Sequence, residues 1–358
     1  MMEQDQGFPE LMEKAASACH DLRLQEALEH YLAAKQLRPE EYEVYQGIAR
    51  TLTRMRRKDE AVEAAQKCIA LDPDRFEGHA ALGTLHFLAD ENQEALSALE
   101  HAIELAPRES EPHLTLAQVY ADIGRFEDAD SELETARDLI DAIEDEQRRQ
   151  AQLAMAWHAE VYINLSKGDT ARAKECAQEA IALKEVNPHA ACLAYSNMGI
   201  LEARARHHKQ GIEYLERAYE MNPYFYRAGK ALGRLLIVRN QPQRAAEILS
   251  QVLEHTPFEK SSTRYAYATA LAKLKRRHEA LAAYHEALEE GLRGPEKLHA
   301  RWQTFFLSNL GRYILLGIVM AAILAWITFA KPSPTALTFL GILAVILVLQ
   351  NTIGKRRR

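Results

Sequence analysis

Three acidic positions recur along this chain at one interval: Glu43, Glu77 and Glu111 stand 34 residues apart. Much later, Arg227, Lys230 and Arg234 fall at i, i+3 and i+7, which is one face of a helix. Such a stripe could hold carboxylates or other oxyanions by charge and hydrogen bonding. Bond-making chemistry has no comparable pattern. The 14 histidines are dispersed, and His207 and His208 sit with Arg206 and Lys209 in a basic turn. No glycine loop for phosphate, no H-E-x-x-H and no nucleophile elbow occurs. Cys19, Cys68, Cys176 and Cys192 lack metal-ligand spacing, and nothing implies disulfides, which suits a reducing compartment. The expectation is a binding protein rather than an enzyme, with no cofactor and no metal.

The elements that must carry these residues are helices. Alanine, leucine and glutamate dominate, glycine and proline are sparse, and no run of alternating β-branched residues appears. Residues 76–109 read as two helices. The first holds Leu82 and Gly83 side by side; the second has Ala95, Leu99 and Ala102 on one face and ends before Pro107. The same offsets return as Ala27, Tyr31, Ala34 and Pro39, as Ala61, Ala65, Cys68 and Pro73, and as Ala129, Leu133 and Ala136. They return again as Ala173, Ala177 and Ala180, as Gly211, Leu215, Ala218 and Pro223, as Ala245, Leu249, Val252 and Pro257, and as Ala280, Tyr284 and Ala287. One hairpin cannot bury its apolar face alone, so each must stack on the next.

Eight such units cover roughly residues 8–294, and the pattern resembles the tetratricopeptide repeat, with its 34-residue period and its L-G, A-x3-F and P positions. Only Trp157 keeps the family's tryptophan, and Asp141 and Glu185 replace its proline, so those two helix ends should differ. His79 and His113 occupy the slot of its large aromatic. The resemblance implies an all-α solenoid of about eight helix hairpins in which the first helix of each unit faces a concave groove. It places Glu43, Glu77 and Glu111, and then Arg227, in one inner slot. Asn197 and Arg204 should lie on the inner helix before the stripe and Lys273 on the one after it. Lys230 fits the family's carboxylate clamp, whereas Arg234 replaces the expected asparagine. Binding of an acidic protein or peptide segment is therefore the expectation, with contact to anionic lipid headgroups as the other use of the stripe.

The net charge of −7 divides along the chain: residues 1–150 carry −18 and the remainder +11. The expected organisation is an acidic half of four repeats over 1–143, an insertion at 144–153 that lengthens the flanking helices, and a basic half of four repeats over 154–295. Residues 296–309 form an amphipathic segment, suited both to covering the last hairpin and to an interface. Residues 310–330 and 335–354 each hold about the ~20 apolar residues that cross a bilayer. They are expected to form a two-helix transmembrane hairpin, with Arg301, Trp302, Phe305, Phe306, Arg312, Lys355 and Arg356 as interface anchors. The basic flanks predict an integral membrane protein, in a bacterial inner membrane if the source is bacterial, with the solenoid and C-terminus cytoplasmic. No signal peptide is read at the N-terminus. The predicted function is a membrane-tethered scaffold or adaptor recruiting cytoplasmic protein partners, not nucleic acid. The alternative is an accessory subunit of a membrane enzyme or transporter, docked through the hairpin.

Overall fold

Small residues at helix crossings set the architecture of this chain. The computed structural model describes residues 7–255 and 260–308, with isolated helical positions between 313 and 326. Among them are seventeen α-helices and no strand. Sixteen form the eight expected hairpins: α1 (Gly7–His20) with α2 (Leu24–Leu37), α3 (Tyr42–Arg54) with α4 (Lys58–Leu71), α5 (Phe76–Phe87) with α6 (Asn92–Leu105), and α7 (Ser110–Asp122) with α8 (Phe126–Asp141). The second four are α9 (Glu146–Lys167) with α10 (Thr170–Ala182), α11 (Pro188–Arg204) with α12 (His208–Met221), α13 (Tyr226–Val238) with α14 (Pro242–His255), and α15 (Lys260–Lys273) with α16 (Arg277–Glu289). A last helix, α17 (Gly294–Leu307), follows.

Each crossing interlocks a small residue with a large one. Ala27, Ala61, Ala95, Ala129, Ala173, Ala245 and Ala280 are wholly buried. Gly83 of α5 faces Leu99 of α6 so closely that a Cβ there would lie 2.5 Å from Leu99 Cγ, and Gly233 of α13 stands 2.5 Å from Leu249 Cγ in the same sense. The helix axes approach until these side chains fill the groove between them. Each hairpin then turns through one left-handed residue: Leu22, Arg56, Asp90, Gly124, Gly168, Arg206, Asn240 and Lys275 all have positive φ. After α3, Arg57 N–H donates to Leu52 O and Arg56 N–H to Thr53 O, closing the helix end in a Schellman motif.

The insertion at 144–153 goes mainly into one helix. α9 has 22 residues and α8 has 16, against 12 to 14 in the helices of the first three units. Residues 142–145 form a turn, because Asp145 accepts from Arg148 N–H at 2.6 Å and so caps a new helix.

The stacked units curve until the chain meets itself. His20 Nε2 lies 3.1 Å from Val186 O, and Asn222 Nδ2 donates to Arg54 O at 3.3 Å, pairs separated by 166 and 168 residues. The Arg56 guanidinium lies 5.4 Å from the Phe225 ring centre. A single apolar cluster runs from Phe8, Leu28 and Leu52 into Cys192, Phe225 and Leu249. The early hairpins thus seat on the turns around α11 to α13, along a seam.

The integral-membrane expectation is corrected. Among the described residues no helix is long and apolar enough to cross a membrane. α9 has the length but carries Glu146, Arg148, Arg149, Glu160 and Lys167 along it. The stretches 310–330 and 335–354 fall largely outside the described residues, as do Arg312, Lys355 and Arg356. α17 does seat on the final hairpin: Arg277 donates to Leu307 O at 2.6 Å and Ser308 O at 3.0 Å, and Tyr265 Oη lies 2.9 Å from His299 Nδ1. Its covering face is Ala300 with His299, whereas Leu298, Trp302 and Phe306 point outward and Arg301 is exposed. Phe305 is half-buried.

Candidate functional site

The first helices of successive units form the inner wall, as the repeat pattern requires. Between them lies a cavity of about 290 Å³, lined from α3, α5, α7, α9 and the start of α11. Its wall mixes apolar and polar groups: Gln46, Thr84, Thr115, Gln118 and Gln152 supply amides and hydroxyls, Glu77 and Glu111 supply carboxylates, Arg50 and Arg54 supply cations, and His189 supplies an imidazole. Part of this polarity is already spent. Thr84 Oγ1 donates to Ala80 O at 2.9 Å, and Gln118 Nε2 donates to Leu114 O at 3.1 Å.

The acidic slot is one unit poorer in charge than its sequence. Arg75, just before α5, donates to Glu43 at 2.7 Å and to Glu77 at 2.8 Å, and lies over the Tyr42 ring at 3.8 Å. The Arg75 hydrogen bond holds Glu43 below the usual carboxylate range. Burial pushes Glu77 up, but the Arg75 hydrogen bond, its own helix N-terminus and the Arg75 charge together bring it below that range. Glu111 is exposed on the cavity wall.

The three members of the basic stripe on α13 have different surroundings. Arg227 is exposed, Lys230 is half-buried with Nζ 3.4 Å from Ser262 Oγ, and Arg234 forms an ion pair with Glu296 of α17. Burial, reinforced by Arg234 and Arg227, pushes the Lys230 ammonium down to about 8. Lys273 donates to Ile237 O at 3.1 Å, satisfying the end of α13. Asn197 is half-buried and Arg204 exposed on α11. The cavity therefore gathers Glu77 and Glu111 with cations that the spacing argument passed over, while the Arg227 stripe lies outside its lining.

Those overlooked cations sit along the seam. Arg54 Nη1 donates to Cys19 O at 2.7 Å, and Arg56 is thrown toward Phe225 by its left-handed turn. Burial lowers Arg56 to about 10. His158 of α9 is pushed down to about 4 by burial, then by Arg227 and Arg56. His189 of α11 lies well below the usual range through burial, then Arg54, Arg56 and His158. The signals were legible in part: Arg50 and Arg54 are four apart on one inner helix, and Arg56 occupies a slot that recurs 34 residues later as Asp90.

Models of the tetratricopeptide repeat match residues 42–75, 86–157 and 203–274. The chain carries tetratricopeptide repeats. Solved tetratricopeptide solenoids share its course. The crystal structure of the APC/C hetero-tetramer Cut9–Hcn1 aligns over 83% of this chain at 16% identity with a TM-score of 0.58. This chain spans 55% of the matched one, about half its length. A human IFIT1 dimer with m7Gppp-AAAA aligns over 82% of this chain and 71% of its own, at 16% identity and a TM-score of 0.55. The pilF protein of Pseudomonas aeruginosa aligns over 64% of this chain and 97% of its own, at 14% identity and a TM-score of 0.50. At these identities the likeness shows the fold alone. No curated protein sequence matches the chain.

Proposed function

We propose that this chain is a protein-interaction scaffold whose inner surface holds an extended segment of a partner. The observation that carries the reading is the open cavity of about 290 Å³, walled by the inner helices of five successive units. Its amides and hydroxyls match the donors and acceptors of an extended backbone, and its volume, at the small end for ligand sites, suits a short stretch of chain. Arg227 and Lys230, with Asn197, Arg204 and Lys273 beside them, form a basic margin where the acidic part of the partner would run. Arg234 contributes indirectly, by seating α17 through Glu296.

Peptides selected from a random display library against the full chain test this reading. Thr84→Trp, which fills the cavity, should weaken the selected peptides at least tenfold while leaving the helical circular dichroism unchanged. The pair Arg227→Glu and Lys230→Glu should weaken acidic peptides most, and less so at high salt. Peptides that bind the filled variant as tightly as the wild type would refute the interior as the binding surface.

A further inference from the structure

Along the seam, arginines and buried neutral imidazoles face one another with few carboxylates between them. From one side come Arg50 and Arg54 of α3 and Arg56 of the turn that follows. From the other come His158 of α9, His189 of α11 and Arg227 of α13. Among the described residues, none of the four arginines has a carboxylate within ion-pair distance. Glu111 reaches Arg54 only through space, Tyr31 faces Arg50 and Arg54, and Asp90 and Asp122 cluster round Tyr162 with Arg227. The Nδ1 atoms of His158 and His189 are buried and lack a hydrogen-bond partner. Arg54 uses Nη1 on Cys19 O and Sγ, which leaves the rest of its donor fork for the cavity that it lines with Arg50 and His189.

A half-buried cation without a carboxylate partner, as at Arg54 and Arg56, is costly, and each orphaned imidazole nitrogen adds to the cost. A guanidinium fork matches the two oxygens of a carboxylate or phosphoryl group. We propose that Arg50, Arg54 and His189 form an oxyanion site, taking a carboxylate or phosphoryl group, and that its occupant latches the closed turn of the solenoid. Arg56 and His158 support the site from behind. The occupant would bridge the second hairpin to the sixth, adding a polar link to a seam held by apolar packing and two long-range hydrogen bonds. Burial first, then the charges of Arg54 and Arg56, holds His189 well below the usual range, and an anion beside it would offset the charge part. The inference rests on the reading of the interior as the binding surface, and it names the chemical group that surface takes.

The test uses the full chain with inorganic phosphate, succinate, and sodium chloride at matched ionic strength. Saturable binding by calorimetry is expected for phosphate or succinate, together with a rise in thermal midpoint that chloride does not reproduce. Phosphate alone would assign the phosphoryl group, succinate alone the carboxylate, and both the shared chemistry. His189→Gln and Arg50→Gln should each weaken binding at least tenfold. Arg54→Gln is the stronger perturbation, but it also removes the bond to Cys19 O. Spin labels placed on α2 and α12 should report a shorter, narrower distance once the anion binds. A rise in midpoint that follows ionic strength alone, or binding unaltered in both His189→Gln and Arg50→Gln, would overturn the proposal. If selected peptides still lost binding in Thr84→Trp, the scaffold reading would stand without the oxyanion site.

Discussion

The crossing of α13 and α14 allows a double-mutant cycle whose sign follows from the geometry. A methyl group introduced by Gly233→Ala would meet Leu249 Cγ at 2.5 Å, Cδ2 at 2.7 Å and Cδ1 at 2.9 Å. Carbon contacts are favourable at about 3.5–4.0 Å, so the leucine must retreat by roughly 1 Å. Leu249 is wholly buried and has little room to do so. Overpacking of this kind costs about 1–3 kcal/mol, and the helix preference of alanine over glycine returns about 1 kcal/mol. The single variant should therefore lose about 0–2 kcal/mol. Leu249→Ala alone should lose about 2–5 kcal/mol, because it leaves a cavity. Combined, the new methyl enters the vacated space, its strain disappears and its helix preference remains. The double variant should thus be more stable than Leu249→Ala, with a favourable coupling of about 1–3 kcal/mol. Urea unfolding of all four chains, followed by helical circular dichroism, gives the cycle. A double variant less stable than Leu249→Ala, or losses that add within about 0.5 kcal/mol, would show that the two residues do not define the crossing.

Two further outcomes follow from the seam and the last helix. His158 titrates at about 4 in the folded chain, against about 6.5 when unfolded. Between those values only the unfolded chain binds the proton, so stability is highest above about pH 6.5 and falls as pH drops toward about 4. The loss is at most about 3 kcal/mol, less where cavity water reaches the ring. His158→Gln should flatten that part of the stability curve, and an unchanged slope would place the ring in water. Arg277→Ala removes both bonds to the end of α17 and should cost about 1–3 kcal/mol locally. Hydrogen exchange should accelerate over residues 294–307 and hardly elsewhere; uniform protection would mean that α17 is held by other contacts.

The repeat was legible because packing writes it in small residues. Ala61, Ala95 and Ala129 are spaced by the period and are all wholly buried. Helix ends were legible where proline stops a helix: α4 ends at Leu71 before Pro73, and α6 at Leu105 before Pro107. The insertion lengthens both flanking helices, α9 far more than α8, because Asp145 caps a new helix and gives the extra residues to it. The apolar members of 296–309 looked like a covering face, yet Ala300 makes the contact and Trp302 stacks on Phe306 outside. The interior was harder. Periodicity says which helix faces inward, but not which distant turn it will meet. Arg54 and Asn222 share no local pattern, so nothing in the spacing joined them. Ion pairing was equally hidden, since Arg75 lies outside the slot whose carboxylates it binds.

The meeting of Arg54 with Asn222 and of His20 with Val186 also alters how this solenoid can fold. A stack of hairpins ordinarily behaves as a line in which each unit senses only its neighbours, and order can spread from any starting point. Here two contacts span 166 and 168 residues. They form only after the intervening units have fixed the curvature, so they belong to a late kinetic step with little weight in the nucleus. Their loss should speed unfolding more than it slows folding. They also couple the first unit to the fifth and the second to the sixth, so damage at one end is felt around the turn instead of fading along the line.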